Sequence, residues 1–373
     1  MIRVACLINS LGSGGAQRQV LELVRRLDRT RVDPQVWIYH PDRFFVSDPR
    51  YAGTRVRVVP KRGKLDPLLP FRLAHMLVRE RIDVLHTFLL TPGAWGLAAA
   101  RLAPRRVAVI QSERSAIDAG IASWTNIRRV TYPRSDLVIA NSERAARLIT
   151  SSLQVPAARV VAIPNGIETS HWRAPAAPDP ELEALLAPVP AGTPILAGVA
   201  SFHRWKDPLT LVRALARLRR THPFFAVLAG AADHPEVLEA TLELIAREGL
   251  GDCVARLPPR RDVRALYQRA DALVLSSRFE GFPNVVLEAM ASGLPVFASD
   301  VSDLRTFLVN GVHGHVFPVG EHVELADALR SFLELPEAQR RSMGDACRRL
   351  VEERYTLDAM VEATTRCYER LVQ

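Results

Sequence analysis

Short apolar runs and longer stretches with a helical spacing of apolar residues alternate along this chain. A continuous apolar run of four to eight residues between turn signals suits a strand buried on both faces of a parallel sheet. The pattern predicts strands at Val4–Ile8, Val36–Tyr39, Val56–Val59, Val84–His86, Val107–Ile110, Leu137–Ala140 and Val160–Ile163, with helices at Gln17–Leu27, Pro70–Arg79 and Ser142–Ser151. Between His171 and Pro190 the pattern breaks: prolines 175, 178, 180, 188 and 190 stand among alanines, the composition of a linker. A second series follows, with strands near Ile195–Ala200, Phe224–Ala229, Ala272–Leu275, Pro295–Ala298 and His315–Phe317. Its helices are predicted at Pro208–Arg220, Pro235–Glu248, Asn284–Ala291 and Val323–Leu333. Regular alternation of this kind implies an α/β chain with two doubly wound, Rossmann-like domains. The expected bounds are 1–168 for the first domain, 169–192 for the linker, 193–353 for the second domain and 354–373 for a C-terminal helix.

Length and composition agree with two cores: 373 residues, 48% hydrophobic and 24% charged. The cysteines, at 6, 253, 347 and 367, have no paired short spacing, so neither a zinc site nor a disulfide framework is expected, and a reducing cytoplasm suits them. Met1 leads directly into an apolar strand rather than a signal peptide, and the weakly polar stretch Leu89–Ala100 is too short to span a bilayer. The net charge of +9 comes almost wholly from arginine, since only Lys61, Lys64 and Lys206 are lysines. Arginines cluster at 25, 26, 29 and 31, at 101, 105 and 106, and at 213, 217, 219 and 220. Solvated helix faces account for each cluster, while the excess also suits an anionic membrane at the inner face of the plasma membrane, at roughly 1 kcal/mol per basic residue. No basic stretch is interleaved with aromatics, so nucleic acid is not an expected partner.

Candidate chemistry gathers where strands end. From Phe279 to Gly293 the chain reads Phe-Glu-Gly-Phe-Pro-Asn-Val-Val-Leu-Glu-Ala-Met-Ala-Ser-Gly, directly after the strand at Asp271–Ser276. Asn284 is a good N-cap and Gly293 a good C′ residue, which puts Glu280 in the loop and Glu288 one turn into the helix. That edge of an open α/β sheet is where ligands bind. A solvated Glu followed by a Glu favoured by the helix dipole would have the same spacing. After the first strand, Gly12-Ser13-Gly14-Gly15-Ala16 opens a helix, a place where backbone N–H groups can approach a phosphate, or simply a tight turn. Gln17 stands where the dinucleotide fingerprint needs its third Gly, and Tyr39-His40-Pro41 supplies no acid after the second strand, so NAD is disfavoured. Lys206, in Ala200-Ser201-Phe202-His203-Arg204-Trp205-Lys206-Asp207-Pro208, offers a compact point charge to an anionic ligand, or is a solvated loop residue. In the loop Gln111–Ser115, Arg114 is the candidate contact for acceptor hydroxyl or phosphate.

The segment from Phe279 to Gly293 resembles the glutamate-x7-glutamate signature of retaining, nucleotide-sugar-dependent glycosyltransferases of the family-4 type. These have the GT-B fold, two Rossmann-like domains facing across a cleft. The resemblance implies that Glu280 holds donor-sugar hydroxyls, that the loop Gly281-Phe282-Pro283-Asn284 offers backbone N–H groups to the donor, and that Glu288 binds the ribose. It implies further that Gly14 and Gly15 face the donor diphosphate and that Lys206 is the catalytic cation. The family's Arg five residues before that Lys is Ser201 here, so Arg204 is the candidate second cation. His86 matches one His of the family's His-x-His strand end and is a candidate catalytic residue; Phe88 replaces the other. Asn165-Gly166 resembles the turn before the interdomain linker, and Asp358–Val372 the helix that crosses back to the first domain.

The activity implied is transfer of a sugar from a nucleoside-diphosphate sugar to a hydroxyl acceptor in polysaccharide, lipopolysaccharide or glycolipid synthesis. The sugar nucleotide is a co-substrate, and no cofactor or metal is expected; no Asp-x-Asp stands at a strand end. A nucleotide-sugar epimerase of the same fold and a non-catalytic sugar-nucleotide-binding protein are the competing readings.

Overall fold

The computed structural model describes the chain except residues 13, 43, 45–47, 64 and 116–121, so Ser13 of the Gly-rich turn and Lys64 lie outside the described residues. The chain divides into two compact units, Met1–Gly166 with Leu357–Gln373, and Ile167–Thr356.

The first unit holds strands β1 (Ile2–Ile8), β2 (Val32–Ile38), β3 (Val56–Val58), β4 (Val84–Phe88), β5 (Ala108–Glu113), β6 (Leu137–Ala140) and β7 (Val160–Ala162). They form one sheet in the order β3-β2-β1-β4-β5-β6-β7, and every pairing is parallel. The unbroken apolar character of β1 has a simple cause. Val4, Cys6 and Ile8 enter a core on one face, while Ala5 and Leu7 enter another core on the opposite face. Helices must cover both faces of a parallel sheet, and strands so enclosed have no polar side. The strand order reverses between β1 and β4, and that reversal opens a crevice at the carboxyl ends of these strands.

The last helix, Leu357–Val372, belongs to this unit, with Leu357, Met360, Val361 and Tyr368 in the core beside β1 and β4. Arg26 pairs with Asp358, and Arg31 with Glu362 and Glu369, so part of the first arginine cluster is engaged in holding this helix.

The second unit holds β8 (Ile195–Val199), β9 (Phe225–Ala229), β10 (Val254–Leu257), β11 (Ala272–Leu275), β12 (Val296–Ser299) and β13 (Gly314–Phe317). Its order is β10-β9-β8-β11-β12-β13, again parallel throughout, with the reversal between β8 and β11. Leu273 and Leu275 pack into one core and Ala272 and Val274 into the other, so β11 is buried on both sides. Gly230, just past β9, passes so close to the loop after β8 that a Cβ there would lie 1.9 Å from the Ala200 carbonyl oxygen.

Several expectations change. Residues 169–192, expected as the interdomain linker, carry two helices, Thr169–Arg173 and Pro180–Leu186, and Trp172, Leu182 and Leu186 enter the second unit's core. Of the prolines here, Pro180 sits at a helix start, directly after the N-cap Asp179, where a missing N–H costs nothing. Residues 90–102 form a helix in spite of Pro92, Gly93 and Gly96. A Cβ on Gly96 would meet the Thr87 methyl at 2.6 Å, so the glycine lets this helix lie close on the sheet. Strand β10 and the helices at Ala122–Thr131, Arg264–Arg269, Leu304–Phe307 and Glu337–Arg354 were not predicted.

Candidate functional site

At the second unit's reversal point, the loops leaving β8 and β11 bring Lys206 and Glu280 together. Lys206 Nζ lies 2.6 Å from Glu280 Oε1, with side-chain exposures of 30% and 10%. They are 74 residues apart in sequence, and what joins them is the adjacency of β8 and β11.

The β8 loop ends in a strained residue. Asp207 adopts φ 45° and ψ 57°, left-handed for a residue with a Cβ, and caps the helix Pro208–Arg219 by accepting from the Thr210 backbone N–H. Arg278 donates to Asp207 Oδ2 at 3.1 Å, and its backbone N–H donates to the Trp205 carbonyl at 2.7 Å. Upstream, His203 Nδ1 accepts from the Trp205 N–H at 3.1 Å. Burial, the neighbouring His234 and nearby cations hold the His203 pKa below its usual value, in keeping with that acceptor role.

After Glu280 the chain turns inward. Phe282 is buried, stacked on Phe307 at 6.0 Å and packed against Tyr355, so its ring anchors the loop and only its backbone is available to a ligand. Ser302 donates to the Gly281 carbonyl at 2.6 Å. The helix has the predicted bounds, Asn284–Ala291, but its N-cap is Pro283, and Asn284 is the first helical residue rather than the cap. At its end Gly293, with φ +86°, donates to Met290 while Leu294 donates to Ala289, the paired bonds of a Schellman motif. Glu288 lies on this helix and is 4% exposed.

The first unit's edge is organised differently. His86 is the middle residue of β4, because the strand runs on to Phe88 rather than ending at His86. It is fully buried, with Nδ1 at 2.7 Å from the Tyr368 hydroxyl and Nε2 at 2.7 Å from Ser112 Oγ. Burial, then the positive charge of Arg114, push its pKa well below the ordinary 6.5, so the ring is neutral. With both nitrogens engaged, His86 is not presented at a strand end. Arg114 is also buried; it donates to Asn165 Oδ1 at 2.6 Å and lies 5.6 Å from the Phe88 ring centroid. Desolvation lowers its pKa to about 10. Gly14 is the N-cap of helix Gly15–Arg26 and Gly15 its first residue; no acidic side chain occupies that first turn.

Arg204 does not join the Lys206–Glu280 pair. It is exposed, with its guanidinium 5.9 Å from the Trp205 ring centroid. Sequence reasoning overlooked Ser276, Ser277 and Arg278, which sit between strand and motif with no distinguishing spacing. A cavity of about 780 Å³ lined by Gly314, His315, Glu324, Phe332 and Met343 lies where β13 begins, away from Lys206 and Glu280. Among the described residues no group of three or more His, Cys, Asp or Glu is placed to hold a metal ion, and no helix is long and apolar enough to cross a membrane.

Comparison with known proteins places this architecture. Residues 13–171 match the model described as Glycosyltransferase Family 4, and residues 187–349 the model described as Glycosyl transferases group 1. A putative glycosyltransferase EpsF of Bacillus subtilis is 29% identical over 308 residues, covering 80% of this chain and 79% of that protein. A D-inositol 3-phosphate glycosyltransferase of Nocardia farcinica is 32% identical over 206 residues, 53% of this chain and 45% of that protein. Among solved structures, Anabaena HepE in complex with UDP-glucose superposes with a TM-score of 0.86 at 20% identity, covering 99% of this chain and 100% of the other.

Proposed function

We propose that this chain, a glycosyltransferase of the GT-B type, is a retaining enzyme that moves a sugar from a nucleoside-diphosphate sugar to a hydroxyl acceptor in polysaccharide, lipopolysaccharide or glycolipid synthesis. The observation that carries the proposal is the contact of Lys206 with Glu280 at the carboxyl edge of the second sheet, 2.6 Å apart and partly open to solvent.

In this reading Glu280 accepts hydrogen bonds from donor-sugar hydroxyls, and Lys206 supplies positive charge to the diphosphate as the sugar–oxygen bond breaks. The backbone of Gly281–Asn284 addresses the donor, Glu288 accepts from the ribose, and Gly14 and Gly15 offer N–H groups to phosphate. Retention follows from attack on the face the diphosphate leaves, with the departing phosphate oxygen taking the acceptor's proton. No second carboxylate is then needed as a nucleophile, in contrast to the two-carboxylate scheme of retaining glycosidases. Arg114 contacts the acceptor, and Arg204 approaches the diphosphate only if the Trp205 contact is released.

UDP-sugars are the first donors to test, since a superposable structure holds UDP-glucose. Peripheral contact with anionic lipid stays part of the proposal, though Arg26, Arg31, Arg105 and Arg219 are engaged in ion pairs within the chain.

The test is a screen of UDP-, GDP- and ADP-sugars for binding and for release of nucleoside diphosphate, followed by NMR of the product. A product with the donor's anomeric configuration is expected. Inversion would overturn the retaining mechanism; epimerised donor without acceptor, or tight binding without turnover, would overturn transfer itself.

A further inference from the structure

Glu280 is held by more than its lysine. Its Oε1 accepts from Lys206 Nζ at 2.6 Å and also from Ser277 Oγ at 2.7 Å. Among the described residues no hydrogen bond reaches Oε2. An ammonium on a flexible four-carbon stem is a poor guide for a carboxylate plane, because its three protons rotate and either oxygen satisfies it. A serine hydroxyl on a single rotatable bond is a better guide, provided its own backbone is fixed.

It is fixed. Ser277 is fully buried, and its carbonyl accepts from the Ser299 hydroxyl at the end of β12. On one side of it, Ser276 Oγ shares its proton between the carbonyls of Asp207, at 2.8 Å, and Lys206, at 3.1 Å. On the other, Arg278 binds the Trp205 carbonyl through its N–H and the Asp207 carboxylate through its side chain. The tripeptide after β11 thus holds the backbone that carries Lys206 with its outer residues and the Glu280 carboxylate with its middle one.

We propose that Ser277 is a positioning residue: it keeps Oε1 of Glu280 occupied by protein donors and turns Oε2 toward the donor sugar as the acceptor of its hydroxyls. The proposal rests on the donor-sugar role given to Glu280 above. Without the Ser277 hydroxyl, Lys206 can swing the carboxylate so that both oxygens face the ammonium, and the sugar loses an aligned acceptor. Misplacement by an ångström costs on the order of 100-fold in rate.

The experiment uses the full chain and the sugar nucleotide that is turned over in the screen. Ser277→Ala should lower kcat by about 10- to 100-fold. KM for the sugar nucleotide and the calorimetric affinity for the free nucleoside diphosphate should both stay within about threefold of wild type. Ser277→Thr, which keeps the hydroxyl, should recover most of kcat. In a Glu280→Gln background, adding Ser277→Ala should change kcat by less than about threefold, because two residues acting through one group are non-additive. A merely structural serine would multiply the loss in both backgrounds. That multiplication, or wild-type kcat for Ser277→Ala beside an impaired Glu280→Gln, overturns the inference and leaves the role of Glu280 standing. Wild-type turnover by Glu280→Gln overturns both.

Discussion

The two sheets share one strand order up to their sixth strand, and each places a glutamate near the carboxyl end of a strand flanking or next to the reversal. The glutamates differ in what remains unspent. Glu113, the last residue of β5, has Oε2 bound by Arg128 Nε at 2.6 Å and the Tyr132 hydroxyl at 2.8 Å, while Oε1 accepts from the Ser115 N–H and hydroxyl. Glu113 and Arg128 expose 1% and 3% of their side chains. Glu280 has one oxygen engaged and one open, beside a lysine that is 30% exposed. A carboxylate whose lone pairs are all met inside the protein stabilises a loop; one left half met can still accept from water or from a ligand. Topology alone does not separate the two, and hydrogen-bond accounting does.

The largest effect that would test this contrast is on stability. Arg128→Ala leaves the Glu113 carboxylate buried without its cation, and removal of one partner of a buried pair costs about 3–5 kcal/mol. Denaturant unfolding should register that loss, and an unchanged midpoint would mean that the pair is not the internal structural element described. Lys206→Ala should behave the opposite way. Stability should change by no more than about 1 kcal/mol, as for partly exposed pairs. Turnover should fall about 100-fold, the loss of one preorganised electrostatic contact, with a smaller change in sugar-nucleotide binding. A near-normal rate for Lys206→Ala would shift attention to Arg204 as the working cation.

Much of this contrast was open to view in the sequence, though not the part that decides it. The two βα series, the place of Glu280 after a strand and the stop at Gly293 follow from local rules, because strand burial and helix capping act over a few residues. Strand β10 escaped because it is a four-residue edge strand, Val-Ala-Arg-Leu, with only its end residues buried. The helix at 90–102 escaped because Pro92 and Gly96 read as breakers. Pro92 falls in a first turn whose N–H groups lack helical partners, and Gly96 serves contact with Thr87. Ser276 and Ser277 had no signal at all: serines after a strand are common, and their partners at 206, 207 and 280 become visible only when β8 and β11 are neighbours. His86 lies two residues before the end of β4, and the strand is buried along its whole length, so the strand-end placement expected of it does not hold.

A smaller effect sharpens the second unit's side. Glu288 is buried on the helix that follows the motif, where the proposed ribose contact would be a charge-assisted hydrogen bond. Glu288→Ala should weaken free nucleoside diphosphate binding by about 1.5–3 kcal/mol, measured by calorimetry. Glu113→Gln in the first unit should leave that affinity unchanged. Unchanged affinity for Glu288→Ala would remove this residue from the proposed site.

The smallest effect belongs to His86 and is read as a slope against pH. Its ring is buried between Tyr368 and Ser112 with Arg114 nearby, and its pKa in the folded chain lies well below 6.5. Above that ordinary value the ring is neutral in both folded and unfolded chains and contributes no pH dependence. As pH falls below about 6.5, the unfolded chain takes up a proton that the folded chain refuses, so stability declines by up to about 1.4 kcal/mol per pH unit from this group. The decline continues down to the depressed folded pKa, where the native ring protonates at last. His86→Gln, which cannot titrate, should therefore be less stable than wild type at pH 7.5, through lost hydrogen bonds, and yet show a shallower loss between about pH 6.5 and 5. Denaturant midpoints measured across that range decide the matter. Parallel slopes for the two proteins would mean that His86 takes up its proton alike in the folded and unfolded chains, and hence is open to solvent rather than sealed inside the first sheet.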